Sequence, residues 1–239
     1  MLVFVAFMYI ICYHYRGVGV YIEVIGMQKE YVTILEPGTD EIIEKKSRFI
    51  GYVRHIETEE EANDFVMEIK KKHYDARHNC YAYVIGEEKE ILRFSDDGEP
   101  GGTAGKPILE VITGEGLKNV CIVVTRYFGG TLLGTGGLVR AYTDAAKACI
   151  SATEIVCKRM VVPMNITTDY TDLGKIQYIL GSKGIDIKDS TYEDTVILQV
   201  EVFVDDVEQI EKDITEATSA RAILVKQDAV FSLSRGKGQ

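Results

Sequence analysis

The chain has 239 residues, of which 46% are hydrophobic and 27% charged, and its formal net charge at pH 7 is −10. The length suits one large or two small domains, and the composition excludes a disordered, collagen-like or low-complexity protein. The negative charge argues against a protein that coats duplex DNA through general basicity, so any anion-binding site has to be local.

Residues 1–12 are apolar, but they span only about 18 Å as a helix, which is too short for a bilayer core of about 30 Å. No basic residue precedes them and no cleavage site of small residues follows, so the segment is a poor signal peptide. Met27 stands directly before the first stretch with ordinary charge patterning. We therefore predict that residues 1–26 are an extension outside the fold, and we expect no membrane-bound form.

The first half of the remaining chain alternates strand-like and helix-like segments. A capping box of Thr58 and Glu61 predicts the start of a helix that ends near His73. Residues 119–125 are almost wholly apolar, which is typical of a strand buried on both faces. The other predicted elements are a strand at 47–56, a hairpin of strands 80–85 and 90–94 around a turn at 87–89, and helices at 107–113 and 138–152.

The second half follows a β-α-β-β-α-β order, which predicts a ferredoxin-like domain. Valine and leucine occupy every second position from Val196 to Val204, so one face of that sheet should pack on the helices. We place the domain boundary so that residues 27–157 form one domain and 158–239 a second, accessory or partner-contacting one. Its other elements are strands at 160–168, 185–192 and 222–233 and helices at 171–182 and 206–218.

Half of the 22 glycines lie between Gly98 and Gly137, and nine of them fall in two stretches at residues 94–110 and 125–142. Each stretch runs into a predicted helix N-terminus, where unpaired N–H groups and the helix dipole favour an anion. Residues 117–147 also carry a local excess of positive charge, from Lys118, Arg126, Arg140 and Lys147 against one acid. The sequence therefore predicts a local anion site, although tight turns and close helix packing would explain the glycines equally simply.

The sequence also contains residues that suggest other kinds of site. Pro100 and Pro107 stand where a Walker A loop around Lys106 needs Gly and Ser or Thr, so no such loop is predicted. Five cysteines without a CxxC pair indicate free thiols and a reducing, cytoplasmic compartment. Asp96, Asp97 and Glu99 are candidate Mg²⁺ ligands, but Ser-Asp-Asp-Gly is more often a turn.

Two further pairs of residues have alternative explanations. His78 and Cys80 suggest a base and a nucleophile, but two residues apart on a strand they cannot act as such a pair without help. Tyr127 and Phe128 beside Arg126 are either stacking platforms for bases or core aromatics at the end of a buried strand. The sequence alone does not decide the role of either pair.

Four motifs in this order resemble the IMPACT family, in its bacterial YigZ-type branch. They are SRF at 47–49, RHNCYAY at 77–83, SDDGEPGGTAGKP at 95–107 and TRYFGGTLLGTGGLVRAY at 125–142. The resemblance covers nearly the whole chain from Met27 onward. It implies an α+β fold with two domains: an N-terminal α+β domain with a left-handed βαβ crossover, as in domain four of elongation factor G, and a ferredoxin-like C-terminal domain.

The resemblance also implies a function. Eukaryotic relatives act in translational control and carry an extra N-terminal interaction domain, whose pattern is not found here. For the bacterial branch the implied partner is RNA or the ribosome, with a translation factor or regulatory protein as a further partner. We therefore expect a non-enzymatic, cofactor-free binder, and keep a Mg²⁺-dependent enzyme with His78 as acid or base, or a protein-interaction module, as alternatives.

The expected contacts combine the resemblance with the local charge and glycine pattern. The basic residues should contact phosphate, glycine amides should approach it, and one aromatic ring should stack on a base. The residues are Lys106, Arg126 and Arg140 for phosphate, Gly102, Gly105, Gly130 and Gly136 for the amides, and Tyr127 for stacking.

Overall fold

The computed structural model describes residues 29–86 and 90–233, so the predicted extension at 1–26 and turn at 87–89 lie outside the described residues. The fold is a mixed α+β architecture of two sheets with helices, as expected. The strands are β1 (Glu30–Ile34), β2 (Gly38–Glu44), β3 (Ser47–His55), β4 (His78–Ile85), β5 (Ile91–Ser95), β6 (Val120–Tyr127), β7 (Ile155–Thr168), β8 (Ile187–Tyr192), β9 (Val196–Phe203), β10 (Ile223–Lys226) and β11 (Val230–Leu233). The α-helices are α1 (Glu59–Lys72), α2 (Gly105–Gly114), α3 (Gly134–Ser151), α4 (Tyr170–Ser182) and α5 (Val207–Thr218).

The first sheet has the strand order β2-β3-β6-β4-β5, and all neighbouring strands are antiparallel. Its central strand, β6, is the apolar run that the sequence assigned to a doubly buried strand. Ile122 and Val124 pack in the core formed with α2 and α3, and Cys121 and Val123 pack in the core formed with α1. That prediction is confirmed, because β6 has helices on both faces of its sheet.

The predicted capping residue also begins the first helix. Thr58 Oγ1 accepts a hydrogen bond of 3.1 Å from the backbone N–H of Glu61. The Glu61 carboxylate accepts from the N–H of Glu57 at 2.6 Å, one residue before the cap. Three acids in the first turn and three lysines in the last complement the helix dipole. The buried face is the predicted one: Ala62, Phe65, Val66 and Ile69.

The second sheet contains the order β10-β7-β9-β8, which is the ferredoxin-like order predicted from the sequence. The helices α4 and α5 supply Ile176 and Ile210 to the core on one face of this sheet. The single strand predicted at 222–233 is instead two strands, β10 and β11. The break lies opposite Pro163, which accepts from the N–H of Gln227 but has no N–H to return.

The strand β1 lies in the second sheet although it precedes the first sheet in the chain. It pairs with the beginning of β7, from Glu30 opposite Arg159 to Ile34 opposite Ile155. Val32 O also accepts from the N–H of Lys118, next to β6. The boundary predicted between residues 157 and 158 therefore falls inside one continuous strand. In the described part of the chain, no helix is long and apolar enough to cross a membrane.

Candidate functional site

Both glycine stretches lie at the same end of the first sheet. The first follows β5, whose last residue, Ser95, pairs with Tyr81 near the start of β4. The second follows β6, where Arg126 pairs with His78 at the start of β4. The two loops touch directly, since Arg126 Nη1 lies 2.6 Å from Glu99 Oε1. The two glycine stretches therefore lie close together in the fold.

Arg126 is buried rather than exposed. Its side chain is 8% exposed and that of its partner Glu99 only 3%. Tyr142 donates a second hydrogen bond of 2.9 Å to the same Glu99 oxygen. The guanidinium packs near two rings, 5.4 Å from the centroid of Phe49 and 5.5 Å from that of Phe128. Contrary to expectation, Arg126 does not present its charge to solvent. A buried guanidinium needs a carboxylate partner inside the protein, and Glu99 is that partner.

The N-terminus of α2 already holds an anion, and it is a carboxylate of the protein itself. Asp96 accepts from the N–H groups of Gly102 at 2.8 Å, Ala104 at 3.0 Å and Gly105 at 2.8 Å. Partial burial opposes ionisation, but the three amide hydrogen bonds outweigh it and hold the pKa of Asp96 below its usual value. Gly102 and Gly105 therefore donate to Asp96, whereas the sequence analysis assigned their amides to an external anion.

The other two candidate magnesium ligands are also engaged inside the protein. Asp97 accepts from Lys70 Nζ at 2.6 Å and from the N–H of Asn79 at 2.7 Å, and Glu99 holds Arg126. Within residues 29–86 and 90–233, no group of His, Cys, Asp and Glu side chains is arranged to hold a metal ion. The carboxylates of this loop therefore stabilise its conformation through contacts inside the protein.

The pair His78 and Cys80 is not arranged as a base and a nucleophile. His78 Nδ1 lies 2.9 Å from the carbonyl oxygen of Asp97. Cys80 Sγ contacts the carbonyl oxygen of Asp96 at 3.0 Å and the hydroxyl of Tyr142 at 3.4 Å. Burial raises the pKa of the Cys80 thiol far above its ordinary value, so the thiolate form is disfavoured.

The second glycine loop differs from the first because no side chain caps its helix. The residue before α3 is Leu133, and the first turn of α3 contains no acid. Gly130 and Gly134 have φ angles of +83° and +70°, which favour glycine. Gly130 and Gly136 are exposed, with open space where a side chain would begin. These two predicted contacts are accessible from solvent.

The remaining predicted residues divide into exposed and engaged groups. Lys106 is exposed, with Nζ 3.9 Å from Glu110, and Arg140 is exposed with Nε 3.4 Å from the carbonyl of Gly136. Tyr127 is half-buried, and its hydroxyl donates to Asp75 at 2.8 Å. The neighbouring ring of Phe128 is 52% exposed. Of the two aromatics, Phe128 is therefore the one available to a ligand.

A hydrogen-bonded chain that the sequence did not predict ties α1 to this end of the sheet. His73 Nδ1 lies 2.9 Å from the hydroxyl of Tyr127, and Nε2 lies 2.7 Å from that of Tyr52. Because Tyr127 donates to Asp75, the neutral imidazole donates through Nδ1 and accepts through Nε2. Burial, with a smaller contribution from Lys72, lowers the pKa of His73. Only tertiary contact brings these residues together, since Tyr52 and Tyr127 are far apart in sequence.

Exposed cations surround the same end of the sheet. Lys45 and Lys46 form the turn between β2 and β3, and the backbone of Gly129 is so close to Lys46 that a Cβ there would lie 2.0 Å from its carbonyl carbon. We call the following six residues the basic end. They are all exposed and form no salt bridge with another residue of the described ranges: Lys45, Lys46, Lys71, Lys72, Arg77 and Arg140.

The basic end contrasts with the rest of the described chain. There, most lysines and arginines pair with a carboxylate, as Arg54 does with Glu68 at 2.7 Å and Lys226 with Glu211 at 2.9 Å. A cavity of about 290 Å³ lies elsewhere, between α2 and α3, and its lining includes Glu115 and Lys147 but none of the predicted site residues. The predicted residues that remain exposed thus lie on an open surface and outside this cavity.

Comparison with known proteins gives matches along most of the chain. Residues 45–150 match the Impact N-terminal domain, and residues 166–221 match a domain of unknown function, DUF1949. The Bacillus subtilis protein YvyE, an IMPACT family member, is 41% identical over 205 residues, which cover 86% of this chain and 94% of that protein. The Escherichia coli family member YigZ is 41% identical over 65% of this chain and 78% of its own length.

One solved structure is also similar over most of the chain. A crystal structure of a hypothetical protein has 34% sequence identity and a TM-score of 0.56, and it covers 84% of this chain and 99% of its own.

Proposed function

The chain belongs to the IMPACT family, and from that premise we propose that it is a translation-related protein that binds RNA or the ribosome through its basic end. The observation behind the proposal is the gathering of exposed, unpaired cations around the second glycine loop. Elsewhere the net charge of −10 repels a polyanion, so the basic end is the surface on which RNA would be retained. Phosphate contacts of this kind supply most of the affinity of sequence-independent binders.

The proposed contacts differ from those expected from the sequence alone. Lys106 and Arg140 remain, as do the exposed glycines Gly130 and Gly136, since all four face solvent. Arg126 is assigned to holding the two loops together through Glu99. The added phosphate contacts are Lys45, Lys46, Lys71, Lys72 and Arg77.

Charge removal at matched positions tests the proposal. We expect the double variant Arg77→Ala, Arg140→Ala to bind single-stranded RNA more weakly and to flatten the plot of log affinity against log salt by about 1.4. The control is Lys183→Ala, Lys212→Ala, which removes the same charge from exposed sites in the second half of the chain and should leave both quantities unchanged. Co-sedimentation with ribosomes at two salt concentrations provides the second readout. Equal loss in both double variants, or no loss in either, would contradict the proposal.

The alternative of a Mg²⁺-dependent enzyme receives no support from the geometry. Asp96, Asp97 and Glu99 each accept hydrogen bonds from protein donors. A regulatory protein as partner is compatible with the same basic end, and it predicts binding that survives nuclease treatment. That result in a ribosome co-sedimentation would favour a protein contact over RNA.

A further inference from the structure

Phe128 is an exposed aromatic residue beside the basic end, where Tyr74 is a second one. Phe128 directly follows β6 and precedes Gly129 and Gly130, and it is 52% exposed although the strand before it is buried. We propose that Phe128 is a nucleobase-stacking subsite, which makes the protein select single-stranded over double-stranded RNA. This inference rests on the proposed function and names the form of RNA that the basic end accepts.

The ring of Phe128 is supported from behind. The Arg126 guanidinium lies 5.5 Å from its centroid and also 5.4 Å from the centroid of Phe49. Glu99 in turn holds Arg126 with a bond of 2.6 Å. The inner side of the ring thus rests on a fixed, buried group, and its exposed half faces outward. A preorganised ring of this kind loses little conformational entropy when a ligand stacks on it.

The backbone beside the ring leaves room for a nucleotide. The N–H of Gly129 donates to Ser47 Oγ at 3.0 Å, which fixes the start of the loop against the turn that carries Lys45 and Lys46. Gly130 follows with open space around its α-carbon. A sugar-phosphate chain can therefore approach the loop closely while its base reaches the ring and its phosphate reaches the lysines.

Stacking on a single exposed ring distinguishes single strands from duplexes. Every base has a π-face, so an aromatic platform accepts any base that is not already stacked. In a duplex the bases are stacked on one another and their faces are covered. The cations alone would retain both forms of RNA, so the preference for single strands is expected to come from Phe128.

The test measures the affinity of the parent and of three variants for short oligouridine, for an RNA duplex of the same length and for inorganic polyphosphate. Phe128→Ala should weaken oligouridine binding about 5- to 150-fold while leaving the binding of the duplex and of polyphosphate unchanged. Phe128→Tyr keeps a ring and should bind as the parent does. Tyr178→Ala removes a 78% exposed ring from α4 and serves as the matched control, with no change expected.

A second measurement does not depend on a substitution. In the unaltered protein, the fluorescence of 2-aminopurine placed within the oligouridine should be quenched on binding. Unchanged fluorescence, or equal binding of oligouridine by Phe128→Ala and the parent, would overturn the stacking subsite while leaving the proposed function intact. If the parent bound neither RNA nor polyphosphate, the proposed function itself would fail.

Discussion

At the scale of single residues, the feature that decides the site is the ion pair of Arg126 and Glu99. Both side chains are almost wholly buried, and Tyr142 completes the cluster. A buried pair contributes less to stability than its contact distance suggests, because both ions lose their hydration. Removal of only one partner is strongly destabilising, because the other charge then stays buried without a partner. The pair therefore locks the two glycine loops together.

We predict that Glu99→Ala destabilises the protein by about 3 to 5 kcal/mol. The double variant Arg126→Met, Glu99→Leu should recover most of this loss, because it leaves no unpaired charge. Urea unfolding of the parent, the single variant and the double variant measures the difference. The control is Glu68→Gln, which breaks an exposed pair with Arg54 and should cost less than about 1 kcal/mol. A double variant that is as unstable as Glu99→Ala, or less stable, would refute a coupled pair.

At the scale of elements, α2 shows how a loop can satisfy the helix that follows it. Its N-cap residue, Ala104, offers no side-chain acceptor. Asp96, eight residues earlier, supplies both carboxylate oxygens to the free amides. The glycines of this loop are thus needed to bring the backbone around one carboxylate. Gly105 in particular has no room for a side chain, since a Cβ would lie 2.7 Å from the carbonyl of Ser95.

The Asp96 cap predicts a pH dependence of stability. The folded-state pKa of Asp96 is lowered, so its contribution is present above the unfolded-state pKa and is lost as pH falls through the folded value. Asp96→Asn should cost about 1 to 2 kcal/mol at pH 7, and the gap between parent and variant should close as pH falls below the unfolded-state pKa of about 3.9. Unfolding free energies measured across this range provide the check. A gap that stays constant with pH would mean that the charge of Asp96 plays no part.

At the scale of the whole molecule, β1 joins the two halves. It extends the second sheet by pairing with β7, and Ile34 at its end lies in the core of the first sheet with α2 and α3. Val32 accepts from Lys118 between α2 and β6. A short N-terminal strand thereby belongs to the second sheet by hydrogen bonding and to the core of the first sheet by packing, so the stability of one half depends on the other.

We expect Ile34→Ala to weaken both halves. The side chain is 1% exposed, and its truncation should cost about 2 to 5 kcal/mol. Hydrogen exchange is the measurement, because it reports on each sheet separately: protection should fall at amides of β6 and of β9 alike. Val225→Ala, at an exposed position on β10, is the control. Loss of protection confined to one sheet would show that β1 does not couple them.

The local sequence was sufficient for most elements. The 3.6-residue spacing of Ala62, Phe65, Val66 and Ile69, the apolar run of β6 and the alternation in β9 each depend on neighbours in the chain, and each predicted its element correctly. The glycine density also located the loops at the site. These properties are readable because burial of a face or a tight turn restricts residue type at short range.

Only the tertiary structure decided what each polar group of the site does. The sequence suggested a turn at Asp96 and an anion site at Gly105, but in the fold the amide of Gly105 donates to Asp96. Arg126 likewise pairs with Glu99, and His73 lies within hydrogen-bond distance of two tyrosines. The same holds for β1, whose partner β7 is more than a hundred residues away. Charges and amides act through space and are satisfied by whichever group the fold brings near, and that choice has no local signature in the chain.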